Sequence, residues 1–298
     1  THSPINDMPG LSISNPDISC ELFADDETLH TSNTSVPNLN NTLQKSIDEV
    51  HDWCTANFMF VSASKTKSML ITTRQKHQRN LAPLQLSLKH EPILQVFQHR
   101  LLGITIDNQL QWGPHIDNLC QTVSRNTFLL SKIRQILSPT CSKIFFHAHI
   151  KSHCDYASTL WDGCSACHFQ KINSLYRRAV KLILPNPIPT DEKFHALNLL
   201  PLKAQLHYNK GVFMYKIFTN KAPPYLRQLF NFHPRHEFDT RNNLLLLPRT
   251  RIDLFKSSLT FSGGLLWNSL PAHLRSTPHL IQFRKRLHSH YQTAVFSV

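Results

Sequence analysis

Leu22-Phe23-Ala24-Asp25-Asp26 decides how this chain is read, because two adjacent carboxylates close a short apolar run and another short run follows. On the incoming side, Ile18, Cys20 and Leu22 fall at every second position, the period of a half-buried strand. Glu27-Thr28-Leu29-His30 continues beyond the pair, and Asp is at home in turns. The stretch therefore predicts a β-hairpin with an Asp pair at its tip. Adjacent carboxylates repel, so a clefted pair calls for a cation, and hard oxygen ligands suit Mg²⁺. An Asp-Asp turn is also a common solvated loop, and the choice between the two rests on the rest of the chain.

Working outward, Val36-Pro37-Asn38 announces a helix with Asn38 as its cap. Leu39, Leu43, Ile47, Val50 and Trp53/Cys54 then recur at three- and four-residue steps, the stripe of a helix lying on a sheet. Strands are expected at Lys67–Thr73, at Leu84–Leu88 and, as a strand or hairpin, at Arg100–Asp107. The opening third is thus α+β with antiparallel pairing. From Pro114 the texture turns helical. Ile116, Leu119, Val123, Leu130, Ile133 and Leu137 mark one helix. Ile144, Phe145 and Ala148 belong to a second, and Phe169, Ile172, Leu175/Tyr176, Ala179 and Ile183 to a third. Leu184-Pro185-Asn186-Pro187-Ile188-Pro189 reads as a linker, and residues 190–298 as short helices separated by prolines.

Charge follows the same division. Residues 1–60 hold one basic side chain (Lys45) against nine acidic ones, a net of −8 in a chain whose total is +13. The remainder carries +21. An acidic tip on a basic body suits a metal site beside a polyanion track, and nucleic acid is the expected partner. With only 7 Gly and no G-x-G-x-x-G or Walker-type loop, dinucleotide and P-loop chemistry have no support. No apolar run reaches the roughly 18 residues of a membrane span, so no membrane partner is expected. Seven Cys, an odd number, point to reduced thiols and an intracellular setting, nuclear or cytoplasmic.

The order of motifs resembles the reverse transcriptase of non-LTR (LINE-like) retrotransposons. It runs through Phe23-Ala24-Asp25-Asp26, the helix to Trp53, Asn57, Lys65-Thr66 with Met69, and Leu102-Gly103-Ile104-Thr105-Ile106-Asp107. It continues with Trp112, His115-Ile116, His153-Cys154-Asp155-Tyr156 and Leu160-Trp161. Ala222-Pro223-Pro224-Tyr225-Leu226 and Leu266-Trp267-Asn268-Ser269-Leu270-Pro271 look like the C-terminal region of the same elements. The resemblance implies a partial polymerase palm with a primer-grip-like hairpin over 1–110. A helical thumb over 111–185 and a mostly helical extension over 186–298 would follow. It implies RNA-directed DNA polymerase activity in the intact parent, with an RNA template, a DNA primer or target, and dNTP. The mechanism would use two metals, Mg²⁺ with Mn²⁺ as a substitute.

By the same resemblance, Asp25 and Asp26 are catalytic metal ligands and Lys65 stabilises or protonates pyrophosphate. Phe23 stands beside the primer end, and Leu102 and Gly103 fall at the primer-gripping hairpin. Lys132, Arg134, Arg177 and Arg178 would track phosphates. The chain departs from the family pattern at Glu27, where Thr is usual, which adds a carboxylate beside the metals. It departs again at Ser62 and Leu102. Ile5-Asn6-Asp7-Met8-Pro9 matches the loop just before the Asp pair, so the chain is expected to begin inside the palm. The fingers, the first catalytic Asp and the Gly-rich nucleotide segment would then lie upstream. Asp25 and Asp26 alone are accordingly expected to bind Mg²⁺ weakly and to support no polymerisation. The alternative is a non-catalytic, nucleic-acid-binding remnant.

One other constellation has metal chemistry. His147, His149, His153, Cys154, Cys164, Cys167 and His168 lie close in sequence, and Cys164-x-x-Cys167 has zinc spacing. No second well-spaced pair closes that site, so zinc is disfavoured and the thiols are expected to pack as small apolar groups. The tryptophans are expected to be core anchors. The basic run Arg284-Lys285-Arg286 reads as a nucleic-acid contact, a nuclear address or a solvated helix face.

Overall fold

The predicted hairpin is present. In the computed structural model, which describes residues 17–77, 82–184, 187–232, 244–250 and 252–296, β1 (Ser19–Phe23) pairs antiparallel with β2 (Asp26–His30). The register runs from Ser19↔His30 to Phe23↔Asp26, leaving Ala24 and Asp25 as a two-residue turn with Ala24 at φ 54°. The loop motif Ile5–Pro9 lies outside the described residues, as do Pro185 and Asn186 of the linker.

Behind the hairpin runs α1 (Val36–Ala56). Its cap is Ser35, in extended conformation, whose amide donates to Asn33 Oδ1 at 3.0 Å. Asn38 therefore lies inside the first turn and is not the cap: Pro37, with its fixed φ and no N–H to satisfy, takes the start of the helix. The predicted stripe splits into two small cores. Leu39 packs with Leu84, Leu86, Leu88 and Ile93. Val50 and Cys54 pack with Leu22, Leu29, Trp53 and Met59. One helix thus floors both the hairpin and the later strands. Polar side chains on α1 complete the fit. Gln44 accepts from the Ser87 amide and donates to the Ser87 carbonyl, both at 2.9 Å, and Asn40 Oδ1 accepts from the Gln85 amide.

The strands beyond α1 are short. β3 (Lys67–Ser68), β4 (Ser87–Leu88), β5 (Glu91–Pro92) and β6 (Leu94–Gln95) form two ladders, β4–β5 antiparallel and β3–β6 parallel. The parallel pair departs from the antiparallel expectation, and the strand expected over 67–73 pairs only at its first two residues. β7 (Gln98–Leu101) and β8 (Ile104–Asp107) form a second hairpin closed by Leu102 at φ 46° and Gly103 at φ 84°. Two consecutive positive φ values make a turn of the I′ kind, whose twist matches that of the strands it joins. Gly adopts it freely and Leu does not.

Residues 1–110 and 111–298 are two compact units. In the second, α2 (Gly113–Ile133) packs against α4 (Ala166–Ile183), with α3 (Pro139–Phe146) alongside. Leu137, expected in the first helix, lies beyond its end. After α3 the chain winds a π-helical turn, His147–Lys151, which puts Phe146 and Ile150 inside and leaves Ile144 mostly exposed. Phe146, Tyr176 and Phe194 form an aromatic line, with ring centroids 5.2 and 6.2 Å apart. α5 (Thr190–Ala196) contributes Lys193, almost fully buried, whose ammonium donates to the carbonyls of Lys181 (3.0 Å) and Leu184 (2.8 Å). A cation there satisfies orphan carbonyls at the negative end of α4, so the helices on the two sides of Leu184 are packed together.

α6 (Leu202–Phe218) and α7 (Leu280–Phe296) pair antiparallel, with Tyr215 stacked on Phe283 at 4.3 Å. Gly211 permits the approach, since a Cβ there would stand 3.0 Å from Leu287 Cδ2. A two-stranded ladder joins Asn231–Phe232 to Leu245–Leu246 beside Trp267. Trp112, Trp161 and Trp267 are buried, as anchors should be, and Trp53 is half-buried. The architecture is α+β: short, mostly antiparallel ladders on one helix, then a helical unit.

Candidate functional site

Alternation along β1 and β2 sorts the hairpin into two faces. Cys20, Leu22, Glu27 and Leu29 share the face toward α1, and Phe23 and Asp26 share the other. Asp25 occupies the turn itself. Both aspartates and Phe23, the latter 64 % exposed, stand in solvent. Glu27 does not join them. Its carboxyl accepts from the Cys20 thiol at 3.3 Å, burial pushes its pKa up, and the Cys20 thiol rises to about 12. The expected extra carboxylate beside the metals is thus turned inward, one register position from Asp26 and on the opposite face.

The donor set at the tip fits Mg²⁺ in kind. Two exposed hard oxygen groups can hold the ion while water and substrate phosphates complete its shell. Among the described residues, no group of three or more His, Cys, Asp or Glu side chains is arranged to hold a metal. The same holds for the His/Cys segment. Cys154 is fully buried and its thiol is pushed far up by burial, Cys164 is half-buried and raised to about 11, and Cys167 is exposed.

The remaining predicted residues are dispersed. Lys65 is exposed on the loop after α1, in a turn closed by its amide on the Ser62 carbonyl. No ion pair among the described residues joins it to Asp25 or Asp26. Leu102 and Gly103 form the exposed tip of the second hairpin. In the helical unit, Lys132 lies over the Phe128 ring at 5.3 Å and Arg134 caps α2, both exposed. Arg178 is exposed. Arg177 is engaged: its guanidinium grips Asp191 through two contacts of 2.8 and 3.3 Å and lies over Phe194. Of the two adjacent arginines, Arg178 is the exposed one outside any ion pair among the described residues.

Sequence reasoning missed a buried polar network in the helical unit. Lys210 pairs with Asp162 at 2.5 Å, both side chains about 5 % exposed, and donates to Ser262 Oγ at 2.8 Å. Asp162 Oδ1 has no hydrogen-bond partner among the described residues, and burial raises this carboxyl's pKa against the pull of Lys210. Next to Lys210, Asn209 donates to Asp155 Oδ1 (2.9 Å) and Ser158 Oγ (3.1 Å), while Lys151 holds the other Asp155 oxygen. No local pattern announces it, because partners such as Asn209 and Asp155 are 54 residues apart.

Charge divides sharply between the units. The first holds 8 basic and 11 acidic residues, the second 24 basic and 8 acidic. Among the described residues no helix is long and apolar enough to cross a membrane. Compared with known proteins, the chain is similar to the RNA-directed DNA polymerase from mobile element jockey of Drosophila melanogaster. The two are 23% identical over 192 residues, which is 63% of this chain and 20% of that protein. The chain thus spans about a fifth of the length of that relative. No family model and no solved structure matches the chain.

Proposed function

We propose that this chain is a segment of a non-LTR retrotransposon RNA-directed DNA polymerase, in which the β1–β2 hairpin presents Asp25 and Asp26 to metal. The observation that carries the reading is the hairpin tip itself. Adjacent carboxylates stand in solvent at a two-residue turn, in a chain similar to a polymerase of that class. Bound Mg²⁺ would supply Lewis-acid activation of a primer hydroxyl and charge neutralisation on a triphosphate. The chain's own residues then have simple tasks. Asp25 and Asp26 hold the ions at an open tip. Phe23, exposed on the face it shares with Asp26, offers a ring to a sugar or base. Lys65 brings an exposed cation for pyrophosphate. Lys132, Arg134 and Arg178 meet template and primer phosphates.

A second reading, a nucleic-acid-binding element without catalysis, is favoured by one specific observation. Glu27 faces inward, and among the described residues no third carboxylate joins the pair. Two-metal chemistry needs one. This chain alone is therefore expected to bind Mg²⁺ weakly and to extend no primer, while binding primer–template in a salt-sensitive way. Primer extension on an RNA template tests the catalytic half: Mg²⁺-dependent synthesis abolished by Asp25→Ala would establish a competent site in this chain. Filter binding across 50–200 mM salt tests the rest, and a failure to bind primer–template at the low end would sink both readings.

A further inference from the structure

We propose that the seam between α6 and α7 is a binding surface for single-stranded nucleic acid, separate from the Asp hairpin. The antiparallel helix pair is dry at one end, where Tyr215 and Phe283 stack, 1 % and 0 % exposed. Its other end surfaces as a line of half-buried rings. His207 meets Tyr291 at 6.2 Å, and Tyr208 meets His288 edge-on at 5.9 Å. Arg284 lies one turn before His288, exposed and within electrostatic reach of the Tyr208 hydroxyl. Lys151, paired with Asp155, lies within electrostatic reach of His288.

Neither helix carries an Asp or Glu, and no acidic residue occurs after Asp253. The carboxylate felt at this seam is Asp155, already held by Lys151 and Asn209. Lys210 is taken by Asp162, which leaves the exposed Lys203, one turn before His207 and within its electrostatic reach, and Arg284 to set the sign of the surface. Helical geometry also decides among the readings of the basic run. At about 100° per residue, Arg284, Lys285 and Arg286 splay around α7, so only Arg284 shares a stripe with His288 and Tyr291. That stripe mixes positive charge with π-faces at helical spacing, which is what a flexible polyanion with unstacked bases recognises. A duplex offers the phosphates but keeps its base faces hidden, so the rings favour a single strand.

The test compares the full chain with Lys203→Gln/Arg284→Gln, with Tyr208→Leu (which keeps apolar packing on α7 and removes the ring), and with Lys45→Glu as a charge-matched change on α1. Probes are a uridine 12-mer, a thymidine 12-mer and a 12-base-pair duplex, and thermal melts confirm that each variant folds. The double variant is expected to lose about tenfold in affinity for both single strands and to lower the log–log salt slope by about 1.4. Tyr208→Leu is expected to lose about tenfold for single strands and under twofold for duplex. Loss confined to one of the two single strands identifies that strand as the ligand. Equal losses for single strand and duplex, or losses matched by Lys45→Glu, would overturn the proposal. The result is independent of the polymerase reading, since none of these residues lies on the Asp hairpin.

Discussion

The helical unit and the hairpin unit solve the burial problem to different depths. Among the described residues, all of the largest fully buried side chains, Trp161, Tyr176, Tyr215, Phe146 and Phe283 included, lie beyond residue 110. In the hairpin unit the buried apolar residues retain 5–9 % exposure, while Phe58 and Phe60 are more than 90 % exposed. The helical unit is thick enough to enclose a Lys–Asp pair. The hairpin unit spreads two thin cores along one side of α1 and holds the Asp pair on top of them. The difference teaches that the element with the most chemistry stands on the shallowest support, and that the deep core belongs to a unit whose surface is basic.

The sharpest way to break this comparison is at Lys210. Lys210→Met leaves the Asp162 carboxylate buried without its cation, and a loss of about 3–5 kcal/mol is expected in urea unfolding. Combining it with Asp162→Leu should restore most of that loss. If Lys210→Met alone is neutral, the pair is not buried in solution and the depth argument fails.

Leucine truncation measures depth directly. Leu130, fully buried in α2, is expected to cost about 4 kcal/mol as Leu130→Ala, and Leu39 in α1 only about 2 kcal/mol as Leu39→Ala. Equal shifts in the two denaturation midpoints would erase the distinction between the units.

A smaller effect of opposite sign is expected at the second hairpin. Leu102 holds φ 46° in a turn that suits Asn or Gly. Leu102→Asn should therefore stabilise the hairpin unit by about 1 kcal/mol, read as a rise in melting temperature. A fall would show that the Leu102 side chain makes a contact worth more than the strain.

The smallest effect is a pH dependence of the Asp hairpin. Burial raises the Glu27 pKa in the folded chain above its ordinary value. A carboxyl with a raised folded pKa adds stability below its unfolded pKa and withdraws it as pH climbs through the raised one. Hydrogen exchange at β1–β2 should accordingly quicken, beyond the intrinsic pH effect, as pH rises above the ordinary carboxylate range. Glu27→Gln should flatten that excess. A persistent excess in Glu27→Gln would assign it to another group.

Much of this was legible from local pattern. Ile18, Cys20 and Leu22 announced the hairpin because the period of a strand is two, and the α1 stripe emerged because the period of a helix is near four. The same period, carried across the turn, also assigns Glu27 to the face of Leu22, since the two are register partners. That signal was present in the chain and points away from the face of Phe23 and Asp26. The capping residue was misplaced by three positions because Pro37 competes with Asn38 for the first turn. The parallel β3–β6 pair was not legible, since two-residue strands leave no alternation to count.

By itself the sequence determined the Asp turn, the change from strands to helices near residue 110, the apolar stripes and the charge asymmetry. Each is a property of neighbours along the chain, where period and turn chemistry act. Tertiary structure alone decided that Arg177 is committed to Asp191 and that Lys210 finds Asp162. It alone decided that Arg284, His288 and Tyr291 line up with His207 and Tyr208. Those outcomes depend on which helix faces meet, and that is settled by shape and burial between segments that share no local pattern.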